Sequence, residues 1–177
     1  MLTTFGLGLL RPAPGTWGSL PPCVLCAAIT LWGTPFGYAW YLLLAAILLA
    51  FGLFCSEFGH RAETALGKKD PSAVVADETA GMALTLLLLP WWVPPPTWLG
   101  ALIPVEITDF AGERGSWLLL QIAAAFLAFR IFDILKLPPA RGLQRLRGGL
   151  GILIDDLVAA LQAAALVAAL IATAVLV

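Results

Sequence analysis

Residues 151–177 read GILIDDLVAALQAAALVAALIATAVLV, and no charged residue follows Asp156. A helix needs about 20 predominantly apolar residues to cross the hydrocarbon core of a bilayer, and 157–177 supplies such a run. Working back from it, charged residues are also absent from 12–56, 79–105 and 115–129. The last window becomes long enough if its helix continues to about Leu135 and carries Arg130 and Asp133 near one end. These windows predict an all-α integral membrane protein. Its expected architecture is a compact bundle of about four to five apolar helices, with interfacial loops and short helices on the cytoplasmic side.

Composition agrees. Of 177 residues, 60% are hydrophobic and 12% charged, and mean hydropathy is +0.94. Soluble domains carry about 25% charged residues, so this chain could not cover its surface in water, and lipid is the expected solvent. A formal net charge of −1 offers no global attraction to polyanions, which excludes nucleic acid as the expected partner. Arg11, Pro12 and Pro14 interrupt the opening segment, so no cleavable signal peptide is expected. Residues 1–177 read as a single membrane-embedded domain without repeats. Cys23, Cys26 and Cys55 lie in apolar stretches without a second ligand pair, which points to buried thiols rather than zinc ligands or disulfides.

The chain divides as follows. Residues 3–19, rich in Gly and Pro, read as a loop. A short helix over 20–32 would hold Pro21 and Pro22 in its first turn. A second helix covers 37–56, and 57–76 reads as an interfacial helix plus loop. Apolar helices follow over 79–102, 116–135 and 152–176, and the prolines at 94–96 kink or end the first of them. Arg61, Lys68 and Lys69 form one basic cluster, and Lys136, Arg141, Arg145 and Arg147 form another. The 103–115 loop instead carries Glu106, Asp109 and Glu113 against Arg114. The positive-inside rule places both basic clusters in the cytoplasm and 103–115 outside, with 20–56 as a helical hairpin. Residues 3–19, 70–81 and 130–156 then share one membrane face.

Those segments hold the unusual chemistry. Asp77-Glu78 and Asp155-Asp156 each stand at the expected start of an apolar helix, and Asp133 stands near the end of another. Carboxylates at such positions are costly to desolvate unless paired or metal-bound. Five that can meet at one face suggest a hard-cation site of the kind magnesium occupies. Helix capping explains one acid per helix end better than two adjacent ones. Arg130, Asp133 and Lys136 fall along one side of a helix, either as a salt-bridged helix end or as a cationic clamp on phosphate. Gly15, Thr16, Gly18 and Ser19 precede one helix, and Gly148-Gly149-Leu150-Gly151 precede another. Glycine lets backbone N–H groups approach an anion. His60, the single histidine, reads as an interfacial residue. No G-x-S-x-G elbow is present, and no phosphate loop surrounds Cys55. Metal-activated water remains as the expected chemistry.

Three stretches together resemble the phosphatidylglycerophosphatase A family. The first runs from Phe5-Gly6-Leu7-Gly8-Leu9 to Ala13-Pro14-Gly15-Thr16-Trp17-Gly18-Ser19-Leu20. The second is Asp70-Pro71-Ser72-Ala73-Val74-Val75-Ala76-Asp77-Glu78 with Gly81-Met82. The third is Phe129-Arg130-Ile131-Phe132-Asp133-Ile134-Leu135-Lys136, continued by Gly148-Gly149-Leu150-Gly151-Ile152 and Asp155-Asp156. The family's Lys-Pro-x-Pro is here Lys136-Leu137-Pro138-Pro139, a departure in the loop and not in the charged residues.

The resemblance implies a magnesium-dependent enzyme of the bacterial inner membrane that hydrolyses phosphatidylglycerophosphate to phosphatidylglycerol and phosphate in phospholipid biosynthesis. On that footing Asp77, Glu78, Asp133, Asp155 and Asp156 are the expected metal ligands, and the same acids supply the catalytic general base or, in a covalent aspartyl-phosphate route, the nucleophile. Arg130 and Lys136 stabilise the transferring phosphoryl group, and the backbone of 15–19 cradles it with Thr16 or Ser19 adding a hydroxyl. Asp70 is a ligand or stands behind one. The substrate sits among the membrane lipids of the cytoplasmic leaflet. Two alternatives stand beside this expectation. One is a phosphatase for another membrane lipid phosphate. The other is a transporter whose acids line an ion path, which calls for charges at mid-helix.

Overall fold

A computed structural model describes residues 1–32, 37–68, 71–143 and 149–176, and within them the secondary structure is all helical. A 3-10 turn, Leu7–Leu9, precedes α1 (Pro14–Leu31), α2 (Tyr38–Leu66), α3 (Ala76–Leu87), α4 (Leu99–Leu102), α5 (Val105–Leu135), α6 (Ala140–Leu143) and α7 (Gly149–Leu176). Three helices are long and apolar enough to cross a bilayer: Tyr38–Leu66, Glu106–Leu135 and Gly149–Leu176. The protein is thus an all-α membrane protein. Lys69, Asp70, Arg145, Arg147 and Gly148 lie outside the described residues.

Several boundaries differ from those expected, each for a local reason. The PGTWGS stretch is not a loop but the opening of α1, because Pro14 fits the first helical positions, where its missing N–H costs no bond. Pro21 and Pro22 therefore lie inside the helix. α2 does not stop near Ser56; it runs through the polar stretch to Leu66 and ends at Gly67, whose φ of 62° closes the helix in the left-handed region. The helix expected over 79–102 stops at Leu87. Pro90 disfavours a helical Leu89, and Pro94, Pro95 and Pro96 block resumption. At 12 residues, α3 is about 18 Å long and too short to span. Helix also enters the expected 103–115 loop, starting at Val105 and bending at Gly112, where φ is 70° and ψ 164°. Finally, α7 starts at Gly149, so no acid stands in its first turn. Capping and the helix dipole, which act within the first turn, therefore do not account for Asp155 and Asp156.

Small residues set the helix crossings. A Cβ on Gly149 would strike the carbonyls of Cys55 and Ser56, and one on Gly59 would lie 2.7 Å from the Gly149 Cα. α2 and α7 thus cross with their backbones in near contact, as membrane helices do where small residues meet. Gly81 similarly receives the Phe129 ring of α5, and the Asp156 carbonyl of α7 lies beyond it. Phe129, Met82, Leu86, Ala125 and Ala160 are fully buried around this junction. The three cysteines are free and buried, as expected.

These crossings put the second half of α2, the start of α3, the end of α5 and the start of α7 at one end of the bundle. The other end is closed by 88–98. There Arg114 donates to the carbonyls of Trp91 at 2.6 Å and Val93 at 3.0 Å, Trp117 donates to Val93 at 3.2 Å, and Trp98 donates to Ala174 at 2.9 Å. Side-chain donors thereby satisfy carbonyls that irregular backbone and the last turn of α7 would leave open near lipid.

Candidate active site

The acidic residues that the sequence scatters over three helices converge. Asp77 and Glu78 stand in the first turn of α3. Asp156 of α7 lies against them, so that Asp77, Glu78 and Asp156 each offer a carboxylate oxygen within 4.8 Å of the others. Asp77 is 5% exposed and Asp156 is 2% exposed. The remaining two acids each meet a cation of the α5 end. Asp133 accepts from the Arg130 guanidinium at 2.6 Å, one helical turn away. Asp155 accepts from Lys136 Nζ at 2.5 Å, across the gap to α7. Lys136 closes α5 with a left-handed backbone, φ 44°, a conformation that non-glycine residues adopt at some cost and that is found at functional sites.

Charge balance defines what the cluster needs. Five buried or half-buried carboxylates face two cations, Arg130 and Lys136. Burial pushes the Glu78 carboxyl up to about 8; a hydrogen bond with Asp77 opposes the shift, and the charges of Asp156 and Asp133 add to it. Burial works against the charge on Lys136. The hydrogen bond to Asp155, with the charges of Asp155, Asp156 and Asp133, outweighs it and holds the amine above the ordinary lysine range. Glu78 Oε2 and Asp156 Oδ2 are buried without a hydrogen-bond partner among the described residues. Buried, unpartnered carboxylate oxygens next to one another match the all-oxygen donor set of a hard divalent cation. The residues present therefore fit magnesium.

The opening of α1 forms the other wall. A Cβ on Gly15 would collide with Glu78 Oε1 and lie 3.0 Å from both terminal nitrogens of Arg130. Gly15 thus brings the positive end of α1 close to that pair, and a side chain there would push the Glu78 and Arg130 tips aside. Ser19 donates to the Gly15 carbonyl at 2.8 Å and accepts from Arg130 at 3.4 Å. Thr16 is half-buried on the same turn. Gly18 faces elsewhere: its Cα packs on Val75, with a Cβ there only 2.6 Å from the valine Cβ. His60 is exposed and 3.9 Å from Glu63, apart from the cluster.

Sequence reasoning passed over Thr79 and Thr4. The Thr79 hydroxyl donates to the Gly18 carbonyl at 2.8 Å and shares a 2.7 Å hydrogen bond with the Thr4 hydroxyl. The signal lay in Pro22. A proline four residues on removes the N–H that would close the Gly18 carbonyl within the helix, so another donor had to be found. Thr79 supplies it one residue after Glu78, and so binds the opening of α1 to the acidic turn of α3.

A family model described as phosphatidylglycerophosphatase A matches residues 1–171. Phosphatidylglycerophosphatase A of Haemophilus influenzae is 32% identical over 167 residues, covering 94% of this chain and 83% of that protein. The protein of the same name from Escherichia coli K12 is 32% identical over 158 residues, covering 88% and 72%. A Bacteroides thetaiotaomicron protein named putative phosphatidylinositol-3-phosphatase is 29% identical over 174 residues, covering 94% and 88%. No solved structure matches.

Proposed function

The chain belongs to the phosphatidylglycerophosphatase A family, and on that premise we propose that it is a magnesium-dependent phosphatase converting phosphatidylglycerophosphate to phosphatidylglycerol and phosphate. The whole chain serves as one catalytic domain in the bacterial inner membrane, and its site faces the cytoplasm. One observation carries the metal reading: Asp77, Glu78 and Asp156 bring carboxylate oxygens within 4.8 Å of one another in a buried site short of positive charge.

Asp77, Glu78 and Asp156 would hold the ion, which when bound supplies neutralisation of phosphate charge and polarisation of water. Arg130 is placed for the phosphomonoester. Its ion pair with Asp133 fixes the guanidinium, while its buried Nε has no partner among the described residues. A planar cation with donors to spare suits a phosphate's oxygens. The N-terminal end of α1, brought there by Gly15, lies beside the same place, and a helix N-terminus favours an anion. Lys136, tied to Asp155, offsets carboxylate charge behind the site. Asp133 and Asp155 thus orient the cations.

A second substrate has support in the relative named putative phosphatidylinositol-3-phosphatase. Charges gathered at one end of the helices, rather than midway along several, speak against the transporter alternative.

The test is phosphate release from phosphatidylglycerophosphate by purified protein in detergent, with magnesium or with EDTA, beside folded Asp77→Asn. Release that needs magnesium and falls about a hundredfold or more in the variant, beyond the roughly 10–100-fold cost of losing a group that only supports a ligand, is the expected result. Folded wild-type protein that releases phosphate from phosphatidylinositol phosphates only would move the substrate. Release from no lipid phosphate would remove the proposal.

A further inference from the structure

The first eleven residues, MLTTFGLGLLR, take no part in the chemistry above, yet they are built against it. The Leu2 carbonyl accepts from the Val75 N–H at 2.9 Å, just ahead of Asp77-Glu78. Thr4 is fully buried and bonded to Thr79. A Cβ on Gly8 would strike the Ala73 carbonyl. One face of the segment is therefore clamped to the strip that leads into α3.

The opposite face is apolar and open. Phe5 is 81% exposed and Leu9 is 68% exposed, with Leu10 and Met1 beside them in sequence. Thr4, Phe5 and Gly6 have φ of 43°, 57° and 95° in succession. Such a left-handed run is costly for Thr and Phe, and here it accompanies a buried Thr4 and an outward Phe5.

Three observations make lipid the occupant of this face. The Phe5 ring meets the Phe51 ring edge-on, with centroids 6.1 Å apart, and Phe51 belongs to the charge-free stretch of the candidate span Tyr38–Leu66. Phe51 is itself buried, so the segment packs on the inner side of a membrane helix and turns its other face, with Phe5 and Leu9, outward beside that helix. Much of its backbone is closed on itself: the N–H groups of Thr4, Gly6, Leu7, Gly8, Leu9 and Leu10 donate to carbonyls within the segment, at 2.8 to 3.2 Å. Apolar surroundings require such closure. Finally, residues 1–10 carry no charged side chain, and Arg11, exposed, follows at once. An arginine at the edge of an apolar patch suits the phosphates of anionic lipids.

Resting on the lipid-phosphatase reading, we infer that residues 1–11 form a lipid-embedded doorway. Phe5, Leu9 and Leu10 receive the diacylglycerol body of the substrate from the leaflet, Arg11 meets its phosphates, and the Thr4–Thr79 bond holds this surface in register with Gly15 and the carboxylate cluster.

The doorway matters only for a substrate that arrives from a bilayer, and that gives its test. Phe5→Ser/Leu9→Ser should lower kcat/KM about tenfold for long-chain phosphatidylglycerophosphate in vesicles, the scale of losing apolar contact with one large side chain. The same variant should leave a short-chain analogue, dissolved as monomers, within about twofold of wild type. Phe5→Leu should retain activity on both. Equal loss on both substrates would overturn the doorway. A second readout needs no turnover: a nitroxide on Leu9→Cys, in vesicles, should be relaxed by dissolved oxygen and not by a water-soluble nickel chelate. The native cysteines are buried and leave the label specific. Relaxation by nickel, or by neither reagent, would place the segment in water or beneath a partner and overturn the inference. Wild-type protein inactive on both substrates would instead sink the phosphatase reading, while the nitroxide still decides where the segment lies.

Discussion

Glu78 joins the site's geometry to its dependence on acid. An acid whose pKa is pushed up to about 8 from an ordinary 4.5 keeps a proton at neutral pH that the unfolded chain has lost. Below pH 4.5 both states hold the proton and nothing is gained or lost. Between 4.5 and 8 the folded state binds more protons than the unfolded state, so metal-free stability falls as pH rises. The proton belongs to the cluster rather than to one oxygen, and a cation must displace it. Magnesium affinity should therefore rise roughly tenfold per pH unit up to about 8 and level off above it, one proton leaving per ion. Titration of magnesium against phosphate release, at several pH values, reads the slope, and melting in detergent with and without magnesium reads the stability side. Glu78→Gln should bind more weakly with a shallower slope. A wild-type affinity independent of pH from 6 to 9 would mean that Glu78 already carries its charge and that another group balances it.

Among the elements, the apolar helices were legible and their ends were not. Long charge-free runs announced the bodies of α2, α5 and α7, because lipid demands such runs. Ends obey local backbone chemistry that composition does not register. Pro14 started α1 six residues before the apolar run began, and Pro90 stopped α3 well short of the end of its charge-free window. The candidate site was legible as a set of acids and cations, since buried charge is rare enough in such a chain to stand out. Its internal division was hidden: which acids pair with Arg130 and Lys136, and which gather at one point, depends on helix rotation and on contacts between distant segments. Thr79 was hidden for the same reason. Its role predicts a difference between two small substitutions. Thr79→Val keeps the shape but leaves the Gly18 carbonyl buried without a donor, a loss of about 1–3 kcal/mol. Thr79→Ser keeps the hydroxyl and should stay near wild type in melting temperature and in kcat. If valine and serine melt alike, the hydroxyl does not bind α1 to α3, and Gly15 owes its place to packing alone.

For the molecule as a whole, the two ends of the bundle differ in charge and in covering. Arg61, Lys68 and Lys136 lie at the end that holds the carboxylates, whereas Glu106, Asp109 and Glu113 lie at the end closed by Trp91, Trp98 and Arg114. Basic residues flanking apolar helices stay in the cytoplasm, and the amphipathic rings of Trp32, Tyr38 and Trp92, all exposed, belong at the opposite interface. The proposed cytoplasmic orientation would bring the site to the leaflet that faces a cytoplasmic supply of lipid phosphate. Cysteine scanning tests it directly, because the native thiols are buried. Glu106→Cys should react with a membrane-impermeant maleimide on intact spheroplasts, and Lys68→Cys should react only after lysis. The reverse pattern would turn the carboxylate end outward. A metal-dependent phosphatase would then have to draw its substrate from the outer leaflet, and the positive-inside rule would fail for a chain whose basic residues favour one end.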